Sequence, residues 1–190
     1  MIIGPIWLMQ PIPYFGEELE GEWIYEPKID GWRMEVLIYD NKKIEFWGRR
    51  LEKKPNWTED LDYLIEYLKN LPSGTILDTE LYSTGGRRFI PSLFAKKRKE
   101  EPIIYVFDII YKDGEFLGDL PLKKRKEILQ RLKFIKPFRL IEYQRLNNIK
   151  EDFQKAVAKG AEGIIIKNLD SPYWVGKDGP IATHYWRKIK

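Results

Sequence analysis

Short strand-like and helix-like patterns follow one another along this chain in irregular order, and that order constrains the fold more than any other feature. Residues 22–26 and 32–39 are rich in aromatic and branched side chains, and Met34, Val36 and Ile38 share one face by period-two alternation. Asp40-Asn41 reads as a turn into a strand over 43–47. Thr58 suits the N-cap of a helix over 58–70, where Leu61, Leu64, Ile65 and Leu68 keep the i, i+3, i+4, i+7 spacing. Pro72-Ser73-Gly74 stops it. Strands follow over 75–82 and 103–111. Helices follow over 121–134, opened by Pro121, and 148–160, capped by Asn148 and ended at Gly160. Three consecutive isoleucines make 162–167 a strand buried on both faces, and a short strand over 184–190 closes the chain. Strict β-α-β alternation is missing, so the expected class is α+β with mostly antiparallel pairing. No repeat, low-complexity segment or Gly/Ser linker interrupts the 190 residues, which predicts one domain over 1–190.

Composition removes several chemistries. There is no cysteine, which excludes a disulfide scaffold, a Cys-ligated metal and a thiol nucleophile. A single histidine, His184, disfavours His-based metal sites and triads and is expected to be structural or exposed. No apolar run approaches the roughly 18 residues of a membrane span. Residues 1–9 lack the pattern of a signal peptide, so a soluble, intracellular (cytoplasmic) protein with no membrane partner is expected. The net charge of +4 is too small to indicate a partner, but the basic residues cluster at Arg49-Arg50, Lys53-Lys54, Arg87-Arg88, Lys96–Lys99 and Lys123–Lys126. Each cluster reads equally well as a solvated face.

Two glycine-rich phosphate signatures, Gly-x-x-x-x-Gly-Lys-Ser/Thr and Gly-x-Gly-x-x-Gly, are absent, so phosphates would be held by side chains. On strands, alternate residues share a face. Glu26 pairs so with Lys28, Asp78 with Glu80, and Lys188 with Lys190. Charges set among apolar neighbours are costly unless matched. Carboxylate strands facing lysine strands could hold a metal-bound polyphosphate, with magnesium at Glu80 and Glu162 and lysines as point charges. Surface salt bridges are the competing reading. Lys28, set between Pro27 and the turn Asp30-Gly31, is the candidate nucleophile, activated by the cations Lys188, Lys190 and Arg33.

Residues 28–33, Lys-Ile-Asp-Gly-Trp-Arg, resemble the Lys-x-Asp-Gly-x-Arg motif of the covalent nucleotidyltransferases, which include ATP-dependent DNA ligases, RNA ligases and capping enzymes. Further motifs follow in order. Phe46-Trp47-Gly48-Arg49 resembles the segment carrying the next arginine, 21 residues after Lys28. Ile76-Leu77-Asp78-Thr79-Glu80-Leu81 resembles Leu-Asp-Gly-Glu, with Thr79 replacing glycine. Tyr105-Val106-Phe107-Asp108 resembles the aromatic motif, residues 162–167 resemble Glu-Gly-x-x-x-Lys, and residues 186–190 resemble the final Lys-x-Lys. Leu8-Met9-Gln10-Pro11, Phe107-Asp108-Ile109-Ile110-Tyr111, Asp113-Gly114 and Leu120-Pro121-Leu122 are most similar to the ATP-dependent DNA ligases. The NAD-dependent ligases share the lysine motif but carry a nicotinamide-binding domain and a cysteine zinc site.

The resemblance implies the nucleotidyltransferase fold, mostly antiparallel sheets flanked by helices around a nucleotide cleft. It also implies roles. Lys28 attacks the α-phosphate of ATP to form lysyl-AMP, and AMP then passes to a 5′-phosphate in nicked double-stranded DNA. Glu26 reads the adenine amino group, and Phe107 stacks on the base. Ile165 covers the other face by motif alignment, whereas strand alternation from Glu162 favours Ile164; the alignment is preferred. Arg33 and Arg49 contact sugar and phosphates. Glu80 holds the ribose or a metal, Glu162 a metal (magnesium or manganese). Lys188 and Lys190 neutralise the α-phosphate, and Lys167 is a further phosphate contact. Arg49, Arg50, Arg87 and Arg88 are the candidates for nucleic-acid contact. Family members normally continue past Lys-x-Lys into an OB-fold domain. Here Lys190 is the last residue, so the expectation is a catalytic domain without the OB fold, with an OB-fold domain or protein in trans as a further partner. The alternatives are an RNA ligase and a non-catalytic nucleic-acid-binding relic; the intact Lys28, Glu80, Glu162, Lys188 and Lys190 argue against the relic.

Overall fold

The alternating residues around Val36 become the middle of a sheet. In the computed structural model, which describes residues 1–190, β1 (Gln10–Pro13) and β2 (Trp23–Lys28) precede β3 (Trp32–Ile38) and β4 (Ile44–Gly48). Next come β5 (Thr75–Ser83), β6 (Pro102–Lys112), β7 (Glu115–Phe116), α1 (Leu122–Arg131), β8 (Phe138–Leu140) and β9 (Gln144–Arg145). The chain ends with α2 (Ile149–Ala158), β10 (Gly163–Asn168) and β11 (Ala182–Ile189). The first sheet has the order β1-β11-β10-β2-β9, and the second β4-β3-β5-β6-β7, with β8 pairing β6. Pairing is antiparallel except for β1 with β11 and β8 with β6. The α+β class and the antiparallel character expected from sequence both hold.

Three apolar layers fix how the sheets stack. Met34, Val36, Phe46 and Leu77 bury the outer face of the second sheet against Leu64 and Leu68, Ile90 and Leu93, and Leu129 of α1. The opposite face, through Leu37, Ile76 and Ile110, meets Met9, Tyr173 and Trp186 from the first sheet's side. Ile164 and Ile166 pack outward with Ala156 of α2. Each fully buried aliphatic side chain contributes roughly 1.5–3 kcal/mol. At its other end this inter-sheet layer gives way to charged residues and opens as a cleft.

Several expectations change in detail. The 58–70 region is not an α-helix capped by Thr58. It forms a 3-10 helix over Asp62–Leu68 that still buries Leu64 and Leu68. Trp57 N–H bonds the Phe46 carbonyl and Thr58 Oγ1 accepts from Phe46 N–H at 3.0 Å, so the strand edge engages the hydroxyl that a helix would have needed. α1 ends at Arg131 rather than 134, where Leu132 turns extended. Asn148 does cap α2, accepting from Glu151 N–H at 3.1 Å. β10 is not buried on both faces: Ile164 and Ile166 are buried, but Ile165 lines the cleft. His184 is exposed, beside the rings of Tyr185 and Trp174. No helix is long and apolar enough to cross a membrane.

Candidate nucleotide cleft

The cleft between the sheets encloses about 730 Å³. Two glycines set its walls. A Cβ on Gly31 would stand 2.5 Å from the Leu81 carbonyl and 2.7 Å from Glu80 Cγ, so only glycine lets the chain after Lys28 turn against β5. A Cβ on Gly163 would stand 2.1 Å from the Ile189 carbonyl, so glycine permits the close approach of β10 to the chain end.

At the mouth, Lys28 Nζ donates to Glu162 Oε2 and Lys190 Nζ pairs with Oε1 of the same carboxylate. Residues 134 positions apart meet because β2 and β10 pair with Lys28 opposite Gly163. Burial pushes the Glu162 carboxyl up, but hydrogen bonds from Lys190 and Lys28 outweigh it and leave it below the ordinary range. The surroundings of the candidate nucleophile thus differ from those expected. The cations expected beside Lys28 are joined by an anion, the Glu162 carboxylate, which binds both Lys28 and Lys190. Arg33 is not free to act on Lys28. Its Nε donates to Asp78 Oδ1 at 2.9 Å, and its Nη2 donates to the Met9 carbonyl at 2.6 Å. Asp78 also accepts from the Tyr173 hydroxyl at 2.6 Å. Burial opposes the Arg33 charge, and Asp78 more than offsets that, raising its pKa. The expected acidic pair therefore divides: Asp78 is consumed by Arg33 and Tyr173, and Glu80 alone faces the cleft.

Burial pushes the Glu80 carboxyl from its ordinary 4.5 up to about 7, against the pull of Arg33. The folded state thus retains a proton that the unfolded chain releases, and stability falls as pH rises from about 4.5 towards about 7. Glu80→Gln removes this component. Its melting temperature is expected to decline less than the wild type's across that window, and equal declines would contradict the assignment.

The part of the cleft expected to receive the base carries two apolar side chains. Phe107, 9% exposed, and Ile165 both line the cleft. Glu26 is buried at its edge, opposite Ile165 across the strand pair, with Lys126 on Oε1 and Lys167 beside Oε2. Lys167 is buried among the rings of Phe107 and Trp186, and burial lowers its pKa. Its ammonium stands 2.7 Å from Glu26 Oε2, and the residue lines the cleft. Lys188 lines the cleft opposite Ile165. Exposed Arg49 and Arg50, together with Lys53, line the outer rim. Arg87 bonds Asp30 and also lines the cleft, whereas Arg88 packs its guanidinium 4.9 Å from the Phe89 ring, outside the lining. The stretch Lys96–Lys99 is exposed and away from the cleft, with Arg98 stacked on Tyr63 at 3.8 Å.

Sequence reasoning missed Lys126 and Tyr173. Lys126 had a usable signal: Leu122, Arg125, Lys126 and Leu129 keep the i, i+3, i+4, i+7 spacing of a buried helix face. Tyr173 had none, because it lies in the irregular link between β10 and β11.

The fold that forms this cleft is shared with ligase domains of known structure. The ligase domain of M. tuberculosis LigD matches with TM-score 0.72 and 21% identity over 96% of this chain and 59% of that one. Mycobacterial DNA ligase D complexed with ATP and MES matches with TM-score 0.69 and 21% identity, over 95% of this chain and 59% of that one. The chain belongs to the ATP-dependent DNA ligase domain family, whose model matches residues 9–190. Among relatives, the SPbeta prophage-derived DNA ligase-like protein LigB of Bacillus subtilis is 30% identical across 100% of this chain and 67% of its own length. The DNA ligase of Archaeoglobus fulgidus is 30% identical over 87% of this chain, which spans 31% of that protein.

Proposed function

We propose that the chain is an adenylation domain that transfers AMP from ATP to Lys28 and then to the 5′-phosphate of nicked duplex DNA. The observation that carries this reading is the convergence of Lys28 and Lys190 on one shared carboxylate, that of Glu162, in the same cleft that Glu26, Phe107, Ile165 and Lys188 border. A base held between Phe107 and Ile165 directs its ribose towards Glu80 and its phosphates towards Lys28. Lys28 Nζ attacks the α-phosphorus, the bond to the β-phosphate oxygen breaks, and pyrophosphate leaves. Attack uses the lone pair of the neutral amine, so the Lys28–Glu162 contact must part before the nitrogen reaches phosphorus. Lys188 and Lys190 offset charge gathering on the α-phosphate oxygens.

The donor set suits a magnesium ion held mainly by phosphate oxygens and water. No cluster of three His, Cys, Asp or Glu residues exists, and Glu162, with Glu80 further in, offers one or two carboxylates. When bound there, the ion would supply positive charge that offsets the triphosphate.

Arg49 and Arg50, with Lys53 and Arg87, form the rim that a DNA backbone would cross. Arg88 lies outside the lining and is the weakest of the arginine candidates. The test is transfer of labelled AMP to the 5′-phosphate of a nicked duplex, which must require ATP and a divalent ion. Absence of transfer from protein that already carries AMP would overturn the DNA step. Each phosphate contact contributes a salt slope of about −0.9 on duplex DNA, so Arg49→Ala is expected to make the slope shallower by about 1. An unchanged slope would remove Arg49 from the interface.

A further inference from the structure

Lys126 is a lysine on the buried face of a helix, and nothing in the adenylation chemistry above uses it. Its side chain is 5% exposed. It does not line the cleft, so it would touch no nucleotide. Its ammonium nevertheless reaches both elements that meet the base. Nζ donates to Glu26 Oε1 and to the Phe107 carbonyl, the latter at 2.8 Å, and stands 5.1 Å from the Tyr143 ring centre.

Burying an ammonium costs several kcal/mol unless its donors are satisfied, and an apolar residue between Leu122 and Leu129 would pack without that cost. What the charge gains is control of Glu26. The Lys167 ammonium stands 2.7 Å from Oε2, so each carboxylate oxygen meets one lysine, and of the two only Lys126 also bonds the backbone that carries Phe107. The other charged groups nearby, Asp108 and Arg125, bond each other. Without Lys126 the Glu26 carboxylate is held from Oε2 alone and loses its tie to the Phe107 backbone. With it, the carboxylate plane is set, and the same ammonium fixes the Phe107 backbone that carries the stacking ring.

We infer that Lys126 is a positioning residue that sets nucleobase selectivity, by aiming the Glu26 carboxylate at the exocyclic amine of the base stacked on Phe107. An ionised carboxylate only accepts hydrogen bonds. Held in place, it rewards a base presenting an amine at that edge and repels one presenting a carbonyl oxygen. ATP is thereby favoured over GTP. The inference rests on the adenylation reading of the cleft.

The experiment is self-adenylation kinetics with ATP and with GTP for the wild type, Lys126→Met and Lys126→Gln. In Lys126→Met the KM for ATP is expected to rise roughly tenfold while the maximal rate stays within about threefold, because ground-state and transition-state contacts to the base are lost together. GTP kinetics stay flat or improve as the repulsion is relieved, so the preference for ATP falls at least about tenfold. Lys126→Gln keeps one donor and recovers part of the preference, and it carries the test if the methionine variant does not fold. An unchanged ATP-to-GTP ratio in a folded variant would overturn the inference while leaving the adenylation reading intact. So would equal losses with both nucleotides. If the wild type forms no adenylate with either nucleotide, the adenylation reading falls and takes the inference with it.

Discussion

Lys28→Ala protein, incubated with labelled ATP and magnesium, is expected to carry no acid-labile label, a loss of more than about 1000-fold in adenylate formation. Lys28→Arg should be as inactive, because a guanidinium stays protonated and cannot attack. The size of the effect follows from the site. Lys53, Lys167, Lys188 and Lys190 are the other lysines lining the cleft, and Lys53 lies on its rim. Lys167 lies at the base end beside Glu26, and Lys188 sits across the strand pair from Ile165. Neither shares the carboxylate that Lys28 shares with Lys190. Label persisting in either variant would mean that another group is the nucleophile.

Arg125→Leu is expected to give the largest loss of stability in the chain. Arg125 and Asp108 are both fully buried. Arg125 Nε donates to Asp108 Oδ1 at 2.8 Å and Nη2 to Oδ2 at 3.1 Å. Its Nη1 donates to the Ser171 carbonyl at 2.9 Å and to the Leu120 carbonyl. One guanidinium thus joins β6, the start of α1 and the loop after β10. Burial alone would push the Asp108 carboxyl up, but Arg125 keeps it below its ordinary range. Removing one partner of a buried pair strands the other, at a cost of about 3–5 kcal/mol. For a chain of this length that lowers the melting temperature by roughly 6–20 °C. Arg145→Ala, which breaks an exposed pair with Glu22, should cost less than about 1 kcal/mol. Similar melting shifts for the two variants would show that the Arg125 network contributes no more than a surface contact.

How far the sequence could be read depended on the length over which a pattern ran. β3 spans seven residues with an alternating face, and α2 carries its cap in the residue before it, so both were legible. β8 and β9 hold three and two residues, too few to show a period, and exist only because β6 and β2 offer them partners. The 3-10 helix over Arg87–Phe94 contains Pro91 and lacks an acidic first turn, so it matched no helix signal. At the cleft, motif order pointed to Lys28, Glu80, Glu162 and Phe107, and alignment chose Ile165 where simple alternation from Glu162 chose Ile164. Alternation failed there because Glu162 precedes β10, so counting from it runs out of phase with the strand.

Charge partners were the least legible part. Lys123 to Lys126 read as one basic cluster, yet the helix turns Lys123 and Lys124 to solvent and buries Arg125 and Lys126 on carboxylates far away in sequence. The pairing of Lys28 with Glu162 likewise depends on how β2 meets β10, a long-range register that no local pattern encodes.

The most direct test of the central claim is the intact mass of the protein after incubation with ATP and a divalent ion, followed by peptide mapping. The account predicts a gain of the mass of one AMP, carried on the peptide containing Lys28 and released by acid. An unchanged mass, or AMP on a peptide without Lys28, would contradict it.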